Sequence, residues 1–191
     1  PDITLLTCSD SRMPPNMLGP TFNRIFSVEN IGNQFLNNAG SVLYGLLHLR
    51  TPIFIVAGHT DCGAIKAALG DFSTEPFAIR KELHPLLSTL NKAHDLMASY
   101  SNKPDDISIT RLAEFNVDMQ IKYVLENDEV RNLIAAGELT IMGIMVDLHN
   151  TYENGYGRVY LSNYNGESET DRIRQHISME KLKSRVRRLG R

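Results

Sequence analysis

The stretch Pro52–Gly70, PIFIVAGHTDCGAIKAALG, carries two different periodicities back to back. Its first half, PIFIVAGH, is apolar without interruption and lacks the polar alternation of a half-exposed strand. Such a run suits a strand of a parallel sheet covered on both faces. It ends at Gly58–His59, and DCGAIKAALG, from Asp61, starts a helix. A buried strand that passes at once into a helix is half of a βαβ unit. Outward from it, ITLLT (Ile3–Thr7) reads as a first strand and RIFSVEN (Arg24–Asn30) as a second. ELTIMGIMVDL (Glu138–Leu148) reads as a fourth, and RVYLSNY (Arg158–Tyr164) as a fifth, shorter one near a sheet edge. Helical patterns fill AGSVLYGLLHLR (Ala39–Arg50) and the stretch from Ala78 to Ala136, with a polar break at Ser101–Asp106. The expectation is an α/β domain: a mostly parallel four-stranded sheet with an additional edge strand, flanked by helices.

A chain of 191 residues suits one domain with its own core. No apolar stretch approaches a membrane span, and the sequence does not open as a signal peptide does. It starts abruptly with strand residues and no Met, which predicts an N-terminal helical arm missing from the sequence. Its two cysteines, Cys8 and Cys62, make no disulfide framework. They predict a reducing compartment, the cytoplasm or an organelle, or a role for the thiols themselves. Charge is uneven: residues 172–191 hold eight of the 20 Lys/Arg and one of the 22 acidic residues. Ile173, Ile177, Leu182, Val186 and Leu189 recur there at helical spacing. The reading is a basic amphipathic helix over 170–191, docking on the acidic body or on a partner subunit rather than on nucleic acid.

Two polar clusters sit where strands end, CSDSR from Cys8 and GHTDCG from Gly58. In parallel sheets, ligands bind beyond the carboxyl ends of the strands. Alternate residues of an extended chain face the same way, so Cys8, Asp10 and Arg12 converge. Asp10 and Arg12 also read as an ordinary surface turn, with Cys8 a buried thiol. His59 and Cys62, three apart at a strand-to-helix turn, share a face and are ready metal ligands. With Cys8 the set is Cys2His, the ligation Zn²⁺ favours, leaving a fourth position for water or for Asp10. Taken singly, His59 reads as a hydrogen-bonded structural histidine and Cys62 as a small apolar residue. A Cys8–Cys62 disulfide leaves His59, Asp10 and Arg12 unexplained. His149 reads first as a loop histidine after the fourth strand and second as a proton shuttle at the site mouth. No role is assigned to it, nor to His84 or His94.

CSDSR followed about fifty residues later by GHTDCG resembles the β-class carbonic anhydrases. Further matches are ENIGN (Glu29–Asn33), AEFNVDMQ (Ala113–Gln120) and the segment Gly137–Leu161. The resemblance implies zinc-dependent reversible hydration of CO2 to bicarbonate and a proton, by attack of zinc-activated hydroxide. It implies that Cys8, His59 and Cys62 are the zinc ligands and that Asp10 and Arg12 are the catalytic dyad. The turn at Gly63 would bind substrate oxygens, and Phe35 and Tyr44 are candidates for a substrate wall shared with a neighbouring chain. A homodimer or a multiple of dimers is expected, with the apolar helix Gly40–Leu49 suited to burial. In a bicarbonate-regulated branch, Trp, Arg and Tyr build a second anion site; this chain has Leu5, Glu29 and Val146 at those positions, which cannot. Rival readings are a CS2 or COS hydrolase with the same ligands, a non-catalytic zinc-binding homologue and a redox dithiol protein. The intact Asp10 and Arg12 disfavour the second of these, and the absence of C-x-x-C disfavours the last.

Overall fold

Five strands form one sheet in the order β2-β1-β3-β4-β5. They are β1 (Ile3–Cys8), β2 (Ile25–Asn30), β3 (Ile53–His59), β4 (Thr140–Asp147) and β5 (Arg158–Tyr164). The first four are parallel and β5 runs antiparallel to β4 at the edge. The computed structural model describes residues 1–102, 105–176 and 180–189. Register brings the carboxyl ends together: Cys8 pairs with Asn30, Thr7 with Ala57, and His59 with Val146. One rim of the sheet therefore carries both polar clusters.

The apolar run of β3 is covered on both faces, as its composition requires. Phe54 and Val56 enter the core beneath the helices, and Ile55 and Ala57 enter a second core on the opposite face. The helices are α1 (Ala39–Leu43, continued by a wide π-type turn over Tyr44–His48), α2 (Gly63–Leu69), α3 (Phe77–Leu90) and α4 (His94–Asn102). After them come α5 (Asp106–Val124), α6 (Asp128–Ala135), α7 (Thr170–His176) and α8 (Glu180–Lys183). Of the polar break expected at Ser101–Asp106, Ser101 belongs to α4 and Asp106 to α5, and residues 103–104 lie outside the described residues; the Asp105 carboxylate accepts from Ser108 N at 2.7 Å and caps α5.

α5 lies close on the sheet because two strand residues have no side chain. A Cβ on Gly58 would stand 2.7 Å from Val117 Cγ2, and one on Gly143 2.7 Å from Val117 Cγ1 and 2.8 Å from Asn163 Cβ. Val117 thus seats over a gap left by glycines on neighbouring strands, which fixes the height of α5 above the rim.

The C-terminal segment departs from the expected helix over 170–191 in its last part. Helix is described at Thr170–His176 (α7) and Glu180–Lys183 (α8), with Ile177 outside the described residues, and the chain then leaves the helix and runs beside β5. The edge strand explains this. Unpaired backbone groups on β5 need partners, and Leu161 N donates to Arg185 O (2.9 Å) while Arg187 N donates to Leu161 O (3.2 Å). Ile173, Leu182 and Val186 still meet on one apolar surface, the second face of the sheet. Arg188 then turns inward, pairing with Asp118 at 2.8 Å and donating to Ser162 O at 3.0 Å. Beside it Leu189 N (3.0 Å) and Tyr152 Oη (2.6 Å) donate to Glu114, which is 2% exposed. Burial pushes the Glu114 carboxyl up, and Arg188 and Tyr152 pull against that push.

Gly143→Ala tests the seating of α5. The added methyl meets Val117, Asn163 and Ile121 within 3.0 Å. Overpacking of this kind costs about 1–3 kcal/mol, so thermal unfolding is expected several degrees below the parent's. An unchanged midpoint would mean that α5 has room to move.

Candidate metal centre and its charged rim

Cys8 closes β1, His59 closes β3 and Cys62 opens α2. The turn between His59 and Cys62 reverses at Asp61, whose φ of +57° places it in the left-handed region that Asp tolerates better than most residues. Thr60 N donates to Val146 O at 3.0 Å, and Leu148 N donates to Thr60 Oγ1 at 2.9 Å, so the turn is tied to the end of β4. The two sulfurs and a ring nitrogen of His59 lie within 4.8 Å of one another, and all three residues are buried.

His59 Nδ1 lies 2.9 Å from Thr60 O, which accepts its N–H. That bond leaves Nε2 as a lone pair, and Nε2 is buried without a partner. The two thiols are pushed in opposite directions. The Cys62 S–H bond to Cys8 draws the Cys8 thiol down strongly, aided by His59 and by backbone N–H groups of Gly32 and Asp10, while burial opposes it. Cys62 is pushed up by that same bond and by burial, against the N–H groups of Ala64 and Ile65. Unpartnered imidazole nitrogen and sulfur lone pairs gathered in an apolar setting fit a tetrahedral, borderline-soft divalent metal. A metal held there takes both sulfurs as thiolates, so its binding releases thiol protons.

A loop contributed from a distance cradles this group. Asn30 closes it by accepting from Gln34 N (2.7 Å) and donating to Gln34 O (2.8 Å). From α5, Asn116 Nδ2 donates to Gly32 O (2.9 Å), Gln120 Nε2 donates to Asn116 Oδ1 (2.8 Å), and Phe35 N donates to Gln120 Oε1 (2.8 Å). The ENIGN and AEFNVDMQ segments, far apart in sequence, therefore form one support. Sequence reading quoted both without giving Asn116 or Gln120 a task.

Asp10 and Arg12 form a fork: Arg12 Nε donates to Asp10 Oδ1 at 2.9 Å, Nη2 to Oδ2 at 2.7 Å, and the Arg12 backbone N–H to Oδ1 at 3.0 Å. Arg12 holds the Asp10 carboxyl well below the usual carboxylate range, and Asp10 in turn keeps the guanidinium charged. Asp10 Oδ2 stands 3.9 Å from His59 Nε2, the nitrogen whose lone pair has no partner. Asp61 is the residue that sequence reading missed. Arg12 Nη1 also donates to Asp61 Oδ2 (3.2 Å), Lys66 Nζ pairs with Oδ1, and His149 Nε2 stands 3.6 Å from Oδ2. Burial pushes the Asp61 carboxyl up, but Lys66 and Arg12 outweigh it and hold it down. The only sequence signal for this was the position of Asp61 inside GHTDCG.

The remaining candidates fall in different places. No atom lies within 4 Å of where a Cβ on Gly63 would stand, so its backbone is open to approach. Phe35 is buried in the same apolar cluster as Cys8 and Cys62. Tyr44 is half-exposed and stacks on His48 at 4.5 Å, near Phe26. Leu5 and Val146 are buried in the second apolar cluster, whereas Glu29 is exposed on β2.

The support has a measurable consequence. Asn116→Ala leaves Gly32 O without its donor and loosens the loop whose N–H faces Cys8. Substitutions at such supporting positions typically lower metal affinity by about 10–100-fold. Competition with a chelator is expected to show that loss in a folded protein, and unchanged affinity would remove Asn116 from the support.

A family model described as "Carbonic anhydrase" matches residues 3–153. The chain is 27% identical over 202 residues to the carbonic anhydrase of Helicobacter pylori strain J99, covering 94% of this chain and 86% of that protein. To the carbonic anhydrase of Saccharomyces cerevisiae it is 26% identical over 160 residues, covering 78% and 71%. Of the solved structures, one of two tetrameric β-carbonic anhydrases from Sordaria macrospora superposes with a TM-score of 0.70 at 28% identity, covering 84% of this chain and 80% of that one.

Proposed function

Because the chain belongs to the β class of the carbonic anhydrase family, whose reaction is the reversible hydration of CO2 to bicarbonate and a proton, we propose that it carries out that reaction with zinc held by Cys8, His59 and Cys62. The observation that carries this reading is the convergence of those three donors within 4.8 Å, with a carboxylate 3.9 Å from the free imidazole nitrogen. Zinc bound there supplies Lewis acidity, bringing the pKa of a water down to about 7 so that it is nucleophilic near neutral pH.

The protein groups do the rest. Asp10 accepts a hydrogen bond from the attacking water and so aims the oxygen's free lone pair at the carbon of CO2. Arg12 keeps Asp10 ionised and held in the fork geometry. Without Arg12 the carboxylate is free to swing toward the ligand group and close it. Gly63 leaves room for the bicarbonate-like oxygens beside the start of α2, and Phe35 forms part of the dry wall. Tyr44, exposed on this chain, belongs to the reading only as a wall residue offered to a neighbour.

Assembly as a homodimer or a multiple of dimers is part of the same reading. It is supported by the tetrameric state of the Sordaria relatives. It is also supported by the apolar surface beside β2, where Phe22 is 93% and Tyr44 49% exposed.

Stopped-flow CO2 hydration on zinc-quantified protein, from about pH 6 to 9, tests the function with Asp10→Asn beside the parent. About one zinc per chain and a rate that rises with pH are expected. The Asp10 carboxyl stays ionised throughout that range, because its own transition lies below the usual carboxylate range; the rise therefore reports the nucleophile. Asp10→Asn is expected to lose about 10²-fold or more, the ordinary weight of a positioned proton acceptor. Zinc without hydration anywhere in the range would sink the reading.

Bicarbonate gives a second check. Leu5, Glu29 and Val146 build no anion site, since two are buried apolar residues and the third is an acid. Added bicarbonate is expected to slow hydration only as an accumulating product does, without cooperative onset. A sigmoidal inhibition curve would reveal an anion site elsewhere.

A further inference from the structure

Hydration yields a proton as well as bicarbonate, and that proton has to leave a buried site. The groups that hold zinc have no further capacity for it, and Asp10 is locked in its fork with Arg12. One titratable ring stands at the rim instead. His149 follows β4, its side chain is 40% exposed, and its Nε2 lies 3.6 Å from Asp61 Oδ2. That separation suits an ion pair once the ring is protonated and is long for a hydrogen bond while it is neutral.

The loop that carries His149 is built to hold it there. Asp147, fully buried, accepts from the backbone N–H of His149 (3.3 Å), Thr151 (2.9 Å) and Tyr152 (3.0 Å). Leu148 N is bound to Thr60 Oγ1, one residue after the ligand His59. The backbone that carries the ring is therefore fixed relative to the turn that carries His59. The charged groups around it are Asp61 directly, with Arg12 and Lys66 on the far side of that carboxylate, and Asp147 beneath its backbone.

We propose that His149 is the proton-transfer residue of this enzyme, carrying the product proton from the site to the solvent, with Asp61 positioning its ring and stabilising the imidazolium. This rests on the CO2 hydration reading. The step balances simply. A proton leaves the water that becomes part of bicarbonate and crosses on an intervening water. It then forms an N–H bond at the free ring nitrogen of His149. The imidazolium gives that proton to a buffer base, and the neutral ring returns; no electrons change hands. Transfer out follows the carbon chemistry, so it limits kcat and leaves kcat/KM alone.

The experiment compares the zinc-loaded parent, His149→Ala and His94→Ala in a dilute, bulky buffer. His94 is exposed on α4 and serves as a control. For His149→Ala, kcat is expected to fall by about 10–100-fold, the low end of acid–base contributions, with kcat/KM and zinc content unchanged. Added imidazole is expected to restore kcat. His94→Ala is expected to match the parent. A readout independent of turnover is the ring ¹⁵N resonances of His149, identified by their loss in His149→Ala. They are expected to move in Asp61→Asn. Parental kcat in His149→Ala, a loss that imidazole does not restore, or unmoved resonances in Asp61→Asn would each overturn the proposal while the parent still hydrates CO2. A parent with no hydration at all overturns the functional reading and this inference with it.

Discussion

Three lone-pair donors buried together are the constraint around which the rest of this protein is arranged. Nε2 of His59 has no partner, and the thiols of Cys8 and Cys62 are pushed in opposite directions by their shared burial and contact. Such a group is costly in an apolar interior without a cation. Its surroundings are correspondingly over-determined. Thr60 O fixes the ring tautomer, Gly32 N–H faces Cys8, and the start of α2 faces Cys62. α5, seated over Gly58 and Gly143, carries the two amides that hold the Gly32 loop. Helix height, loop shape and donor geometry therefore form one mechanical unit.

Outside that unit lies a chain of alternating charge. It runs from Asp10 to Arg12 to Asp61, and from Asp61 to both Lys66 and His149. Arg12 lies between two carboxylates, and its planar fork satisfies Asp10 with two donors while a third reaches Asp61. A lysine in its place would offer a point charge without the fork. The Asp10–Arg12 pair is thus the inner end of a longer rim array, and the outer end reaches solvent.

Much of this was written in local pattern. The apolar run of β3 forced coverage on both faces, and Phe54/Val56 against Ile55/Ala57 divide as that requires. The three-residue step from His59 to Cys62 and the strand-end position of Cys8 were enough to assemble the donors. Other features depend on distance in sequence. Asn116 acts on a carbonyl at Gly32, and no periodicity within α5 announces that partner. Asp61 lay inside a recognised motif, yet its tie to Arg12 exists only once β1 and β3 are neighbours. The tail misled for a related reason. Its apolar spacing was satisfied by short helices, while the unpaired edge of β5 called for extended backbone at Arg185–Arg187.

That strip on β5 also counts edges. An open sheet has two, and each is a template for another strand. Here the β5 side is met at Leu161 by the chain's own tail, whereas among the described residues β2 pairs with β1 alone. Where the tail lies along Leu161, that strand offers no open template, so the tail stands as a guard against strand addition on its own side of the sheet.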